Sequence, residues 1–455
     1  MTTRYVPLIL LAALFITGYT SSISAQVTLD QCIQWGLERN PSLQRITLEK
    51  QLDKPGAMAA WGQFLPSVYV GYGIDQSKYY SPTYVDADGR VVTLPYTVTT
   101  PDTTIVYEVP EGKRRNSSYF VSVEEILFDG GRNYLNLKNS SLANRSRHSN
   151  IEHERFVLRS EITRAFAQAI AAQRRLELAA KVVDQRRLQL RLAETRFETG
   201  SVTKRDVLQA EVDLGRALSD SLSTVLERRR TFEELNILVD LPLDTSYSFA
   251  ELPQPFKPDW DVKALTADAV KSRGDLRSAE LAVMTTHNDH LAAKGDYLPS
   301  LTASYFNSRS EKSGADAAYT LKPRNRYSEV GLNLRLTLFD RFTRSLKLQE
   351  AKVRNHQAKL SAFELDQNVR HQVRVASDQM ISLYEQVQVA AQNSRWAEET
   401  LKFEQERYRL GSATVIELGA AQISFIQAKN DQIDLETQFY VALGELEMAT
   451  GKVLR

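Results

Sequence analysis

Asp206 and Glu417 are the acidic residues whose surroundings suggest chemistry, and that chemistry is electrostatic rather than catalytic. Each lies just past a glycine turn: Arg196-Phe197-Glu198-Thr199-Gly200-Ser201 for the first, Arg407-Tyr408-Arg409-Leu410-Gly411-Ser412 for the second. In both, an aromatic residue ends one helical pattern and a glycine turns the chain. A serine then stands where its hydroxyl is placed to cap the next helix, and a carboxylate follows where the free N–H groups of a helix start favour negative charge. The other candidates are poorer. His287 and His290 are three residues apart, but no third ligand or supporting carboxylate accompanies them, so no metal is expected. Cys32 is the only cysteine and reads as a buried helix residue. There is no glycine-rich phosphate loop, nucleophile elbow or cysteine nucleophile. The sequence therefore predicts no enzyme and no cofactor. With 57 basic and 56 acidic residues mixed along the chain, no nucleic-acid partner is expected either.

The two turns lie 211 residues apart, the mark of an internal duplication within a chain long enough, at 455 residues, for two or three domains. Residues 1–25 read as a cleavable signal peptide: Arg4, an apolar run from Val6 to Ile16 too short to span a bilayer, and small residues before Ala25. The first repeat covers 26–240. It has a helical pattern from Val27 to Trp61, a β-hairpin over 64–128 with a long proline-rich loop, a long helix over 132–197 and a return helix over 201–239. A proline-rich linker occupies 241–260. The second repeat covers 261–455, with a helix, a hairpin over 297–339, a long helix over 344–409 and a return helix over 413–449.

Both long helices carry heptads, such as Val369, Val373, Ala376, Met380, Leu383 and Val387, which specify helices wound around partners. An ordinary coiled coil explains this seam equally well. The strands favour a membrane: Val330, Leu332, Leu334, Leu336 and Leu338 alternate with polar or small residues over the length of a membrane strand, so these leucines and Val330 are read as lipid-facing. Val68, Val70 and Tyr72 repeat the pattern, and no further helical amphipathic layer is left to cover them. Four strands cannot close a barrel, and an open edge cannot face lipid, so several chains must share one.

Leu37-Glu38-Arg39-Asn40-Pro41-Ser42-Leu43, the two strand-opening Leu-Pro-Ser segments, Leu127-Phe128-Asp129-Gly130-Gly131-Arg132 and the two glycine turns, in this order and duplicated, resemble the TolC-like outer membrane efflux proteins. The resemblance implies a mixed α+β membrane protein: a homotrimer whose four strands per chain form a 12-stranded transmembrane β-barrel, with long antiparallel coiled-coil helices forming a periplasmic α-barrel. It implies an exit duct in the bacterial outer membrane, served by a periplasmic adaptor and indirectly by an inner-membrane transporter that supplies the energy. The turns Gly200-Ser201-Val202 and Gly411-Ser412-Ala413 are then the adaptor-contact tips. Asp206 and Glu417 would form carboxylate rings at the aperture, with Tyr408 placed to reach toward Asp206. The chain departs from the family at Ala413, where some relatives carry a locking arginine, and at Ala420, where a second acidic ring would fall; Lys204 or Arg205 is left to hold the closed state. A periplasmic coiled-coil adaptor or scaffold without a pore is the alternative, and it would be freely dissolved after export.

Overall fold

A computed structural model describes residues 26–79, 83–85, 87–93, 96–99, 104–107, 112–245, 247–313 and 325–454. The expected leader at 1–25 lies outside them. Two compact units result: one holds the chain up to Lys50 with Ser146–Ala279 and Ser361 onward, the other Gln51–Arg145 and Glu280–Leu360. These units cut across the two repeats, each taking part of both. The repeats appear in element lengths instead. α4 (Arg132–Glu198) and α8 (Thr343–Arg409) have 67 residues each, while α5 (Lys204–Val239) and α9 (Val415–Thr450) have 36 each. At 1.5 Å per residue, each long helix runs about 100 Å.

In the first unit the chain begins with α1 (Leu29–Arg39) and α2 (Pro41–Leu48). The continuous helix expected from Val27 to Trp61 is broken here, for a local reason. Asn40 precedes a proline and is held out of helical geometry (φ −56°, ψ 122°). Its Oδ1 accepts from the Ser42 and Leu43 N–H groups, and its Nδ2 donates to the Leu238 carbonyl at 3.0 Å. Cys32 and Ile33 of α1 pack with Ile162, Phe166 and Ala169 of α4 and Phe232, Leu235 and Val239 of α5. Burial pushes the Cys32 thiol up to about 12, which leaves it a small apolar core residue. α6 (Val262–Ser272) and the start of α7 (Gly274–Gly295) close on α8 and α9 through Ala269, Leu276, Val369, Val373 and Ala449. The linker over 241–260 is tied down. Asn236 Nδ2 donates to carbonyls of Pro242, Leu243 and Thr245, Tyr440 donates to the Pro253 carbonyl, and Trp260 Nε1 donates to Ser377 at 3.0 Å. Charged pairs cross between helices: Arg159 to Glu447 at 3.0 Å, Arg174 to Glu436 at 2.6 Å, and Arg175 to Asp434.

The second unit opens with α3 (Asp53–Gly62) and contains a four-stranded antiparallel sheet of β1 (Ser67–Tyr79), β6 (Gly112–Phe128), β7 (Ser300–Ser313) and β8 (Asn325–Arg335), in that order. The region expected to be one long loop also forms short ladders: β2 (Thr83–Val85) with β3 (Val91–Thr93), and β4 (Tyr96–Thr99) with β5 (Thr104–Tyr107). β8 stops sooner than the leucine alternation implied. Its ladder with β7 ends at Arg335 opposite Ser300, because the residue before Ser300 is Pro299, which has no N–H to continue the pairing. Leu336 and Leu338 are exposed but lie past the strand end.

Register brings one face together. Val68, Val123, Tyr305 and Val330 form a row across all four strands, and the next rows hold Ala303 with Leu332 and Leu301 with Leu334. The opposite face carries Ser67, Glu124, Ser304 and Gly331, then Tyr69, Ser122, Phe306 and Glu329. Among these polar residues Phe120 stacks on Phe306 with ring centroids 5.6 Å apart, in the space Gly71 leaves open. No described helix is long and apolar enough to cross a membrane.

Gly130 and Gly295 meet backbone to backbone where β6 gives way to α4. A Cβ on Gly295 would lie 2.4 Å from the Gly130 carbonyl oxygen, and backbone has no rotamer by which to yield. Gly295→Ala is expected to destabilise by about 1–3 kcal/mol, the range for overpacking. A lowered thermal midpoint of the purified protein checks this, and an unchanged midpoint contradicts it.

Candidate functional site: the paired hairpin tips

Both α4 and α8 end in the same turn. The Ser201 N–H donates to the Arg196 carbonyl at 2.8 Å and the Gly200 N–H to the Phe197 carbonyl at 2.9 Å. In the second tip the Ser412 N–H donates to the Arg407 carbonyl at 2.8 Å and the Gly411 N–H to the Tyr408 carbonyl at 3.1 Å. This double closure is a Schellman motif, which requires a left-handed residue at the turn; Gly200 (φ +73°) and Gly411 (φ +79°) supply it. The serines thus close the outgoing helix, which corrects the expectation that they cap the next one. The caps are Thr203 and Thr414, so the return helices begin at Lys204 and Val415.

Asp206 and Glu417 are the third residues of those helices, and their carboxylates fold back onto the caps. Asp206 Oδ2 accepts from the Thr203 N–H and the Thr203 hydroxyl, each at 2.8 Å. Glu417 Oε2 accepts from the Thr414 N–H at 2.7 Å and its hydroxyl at 2.9 Å, while the Glu417 N–H donates to Thr414 Oγ1 at 3.2 Å. A threonine followed three residues on by an acid was visible in the sequence as a capping-box pattern; the serine next to each glycine drew attention away from it. The Thr203 and Thr414 backbone N–H bonds, then the hydroxyl bonds, hold the two carboxyls below their ordinary values.

Tyr408 sits differently from the expectation. Its ring is 8% exposed and packs with Leu401, Leu418 and Ala421, while the hydrogen bonds of Asp206 go to Thr203. Burying the ring between α8 and α9 wins over reaching a carboxylate that its own helix start already satisfies. Gly200, Ser201, Gly411 and Ser412 are exposed, and Val202 and Ala413 half-buried. Lys204 and Arg205 are exposed, with Lys204 Nζ 5.8 Å from the Phe197 ring centroid. Arg196, which the sequence did not single out, sits over the Tyr408 ring at 4.6 Å. Among the described residues no group of three His, Cys, Asp or Glu is placed to hold a metal.

The family model for outer membrane efflux proteins matches residues 32–238 and 265–452, both repeats nearly in full. The chain belongs to that family. It is 25% identical over 312 residues to the alkaline protease secretion protein AprF of Pseudomonas aeruginosa, a match covering 66% of this chain and 60% of AprF. Its fold matches the Campylobacter jejuni CmeC outer membrane channel, with a TM-score of 0.76 at 14% identity, covering 93% of this chain and 85% of CmeC. The Vibrio cholerae outer membrane protein VceC gives 0.75 at 17% identity, covering 94% and 97%. The family and the α+β fold expected from the duplicated motifs are the ones found, and the alternative of a poreless periplasmic scaffold falls.

Two outcomes follow for the tips. Gly411→Ala forces a β-carbon into left-handed geometry and should cost about 1–2 kcal/mol, read as faster amide exchange over 407–412. Because both carboxyls titrate low when folded, their contribution to the tips is complete above the ordinary values of 3.8 and 4.5 and fades as pH falls through the lower native ones. Exchange at 203–206 and 414–417, corrected for intrinsic rates, should quicken only on that acid side; loosening at neutral pH would contradict it.

Proposed function

We propose that this protein is an outer membrane exit duct, a passive channel that takes cargo from a periplasmic adaptor and an inner-membrane pump to the exterior. The observation that carries this reading is the sheet: four strands, one apolar face left exposed, and outer edges on β1 and β8 that pair with no strand among the described residues. Val330, Leu332 and Leu334 are 81%, 72% and 69% exposed, a cost that lipid removes. The unpaired edges cannot face hydrocarbon, and three copies would turn four strands each into a closed ring of twelve, within the size range of membrane barrels.

In that assembly the exposed turns at Gly200-Ser201-Val202 and Gly411-Ser412-Ala413 are the adaptor contact, since glycine and small side chains permit close backbone approach. Asp206 and Glu417, repeated by symmetry, give rings of fixed negative charge that favour cations. The cargo class follows from the inner-membrane partner rather than from any residue here.

Leu334→Arg should cost about 2–4 kcal/mol near the bilayer centre and reduce assembled oligomer in outer membrane fractions; full assembly would reverse the assignment of faces. In planar bilayers, Asp206→Ala with Glu417→Ala should lower cation selectivity. A parent protein that stays monomeric and dissolved without detergent overturns the duct itself.

A further inference from the structure

The proline-rich linker leaves a hollow beneath it. The Ala250 N–H donates to the Val27 carbonyl at 2.9 Å, which ties this stretch to the start of α1. Pro253 and Pro255 follow; neither has an N–H to give a helix or a ladder, and each biases the residue before it toward extended backbone. The Tyr440 hydroxyl, donating to the Pro253 carbonyl, pins the stretch to α9. Held at these points, the linker bridges the space between α1, α4 and α9 instead of filling it. A cavity of about 530 Å³ remains, lined wholly from the first unit. Protein interiors rarely leave voids much larger than a water, whereas this volume lies in the range of small-molecule sites.

The lining is graded from floor to mouth. Leu29, Phe166, Tyr440 and Leu443 are buried and make an apolar, partly aromatic floor. Phe256 is 37% exposed and stands at the mouth, its ring held edge-on by Phe439 at 5.8 Å and Trp260 at 6.3 Å. The charged lining residues are the exposed carboxylates Asp30 and Glu251, and Glu251 has no ion-pair partner among the described residues. Among those residues no Lys, Arg or His lines the cavity. An apolar body gains by entering the floor, and a positive charge left at the mouth gains from a carboxylate and from aromatic ring faces. An anion would meet two carboxylates and no cation. We propose that this cavity is a binding site for an organic cation, an aryl- or alkylammonium whose apolar part fills the floor while its charge rests by Glu251 and Phe256. The site is complete within one chain, so it depends neither on the duct reading nor on the carboxylates at the tips.

Equilibrium dialysis tests this on the full-length protein held in a non-ionic amphipol, which supplies no competing charge. The probe is benzyltrimethylammonium, with the phenylmethanesulfonate anion as a control of similar size and amphipol alone as the blank. Four proteins are compared: parent, Glu251→Gln, Phe256→Ala and Ala250→Trp, the last setting an indole on the cavity wall. The parent should take up a single cation per chain saturably, and the anion should not saturate. Uptake should weaken several-fold in Glu251→Gln and Phe256→Ala and vanish in Ala250→Trp. Glu251→Gln keeps shape and removes charge, so a loss there reads the charge alone; if Ala250→Trp melts earlier than the parent, the two milder variants decide. No saturable uptake by the parent overturns the site. Uptake unchanged by both Glu251→Gln and Phe256→Ala puts the cation elsewhere, the tip carboxylates included, and overturns it equally. The anion bound as tightly as the cation overturns the ligand class.

Discussion

Along the outer edges of β1 and β8, backbone N–H and C=O groups find no ladder partner among the described residues. In water such an edge is a hazard for aggregation; in hydrocarbon each unpaired group costs several kcal/mol. The apolar face formed by Val68, Val123, Tyr305 and Val330 meanwhile disfavours water. These two demands conflict for a single copy in either solvent. They agree only when edges meet edges of further copies, so the remainder of the chain has to make repeated assembly geometrically possible. Equal long helices, equal return helices and one turn used twice are means to that end.

The tips illustrate how one motif is put to two uses. Arg196 and Arg407 occupy the same place in the same turn, yet one reaches across to the other hairpin and the other folds onto Glu404 and Ser412. The difference is not in the turn but in what stands opposite it. Tyr408 likewise serves packing first: with Leu401, Leu418 and Ala421 it fills the space between α8 and α9, and Arg196 covers its remaining face.

Much of this was legible from residue order alone, because the signals are local and doubled. The glycine turns and the Leu-Pro-Ser strand openings each name an element and its boundary, while the leucine alternation names a strand but runs on to Leu338, past the ladder's end at Arg335. What escaped came from competition between neighbours. Ser201 and Ser412 are good capping residues, but a left-handed glycine immediately before them commits their N–H groups to the preceding helix. Asn40 looks like one polar position in a long helix until Pro41 is allowed for. Arg196 was invisible for a different reason: its partners are main-chain carbonyls in another hairpin, and carbonyls leave no trace in residue type.

The matched lengths of α4 and α8 bear on how such a chain can vary. Deleting one residue from a helix turns everything beyond it by about 100° and draws it back about 1.5 Å. In one repeat alone, that would swing a buried seam toward solvent and leave one tip short of the other. Single-residue gains and losses should therefore be purged from the helices and collect where the two halves already differ. The link from Tyr79 to Gly112 is much longer than that from Ser313 to Asn325, and the sheet registers are unaffected by the difference. Lineages can thus remodel the face between the strands freely while the staves keep a fixed cut.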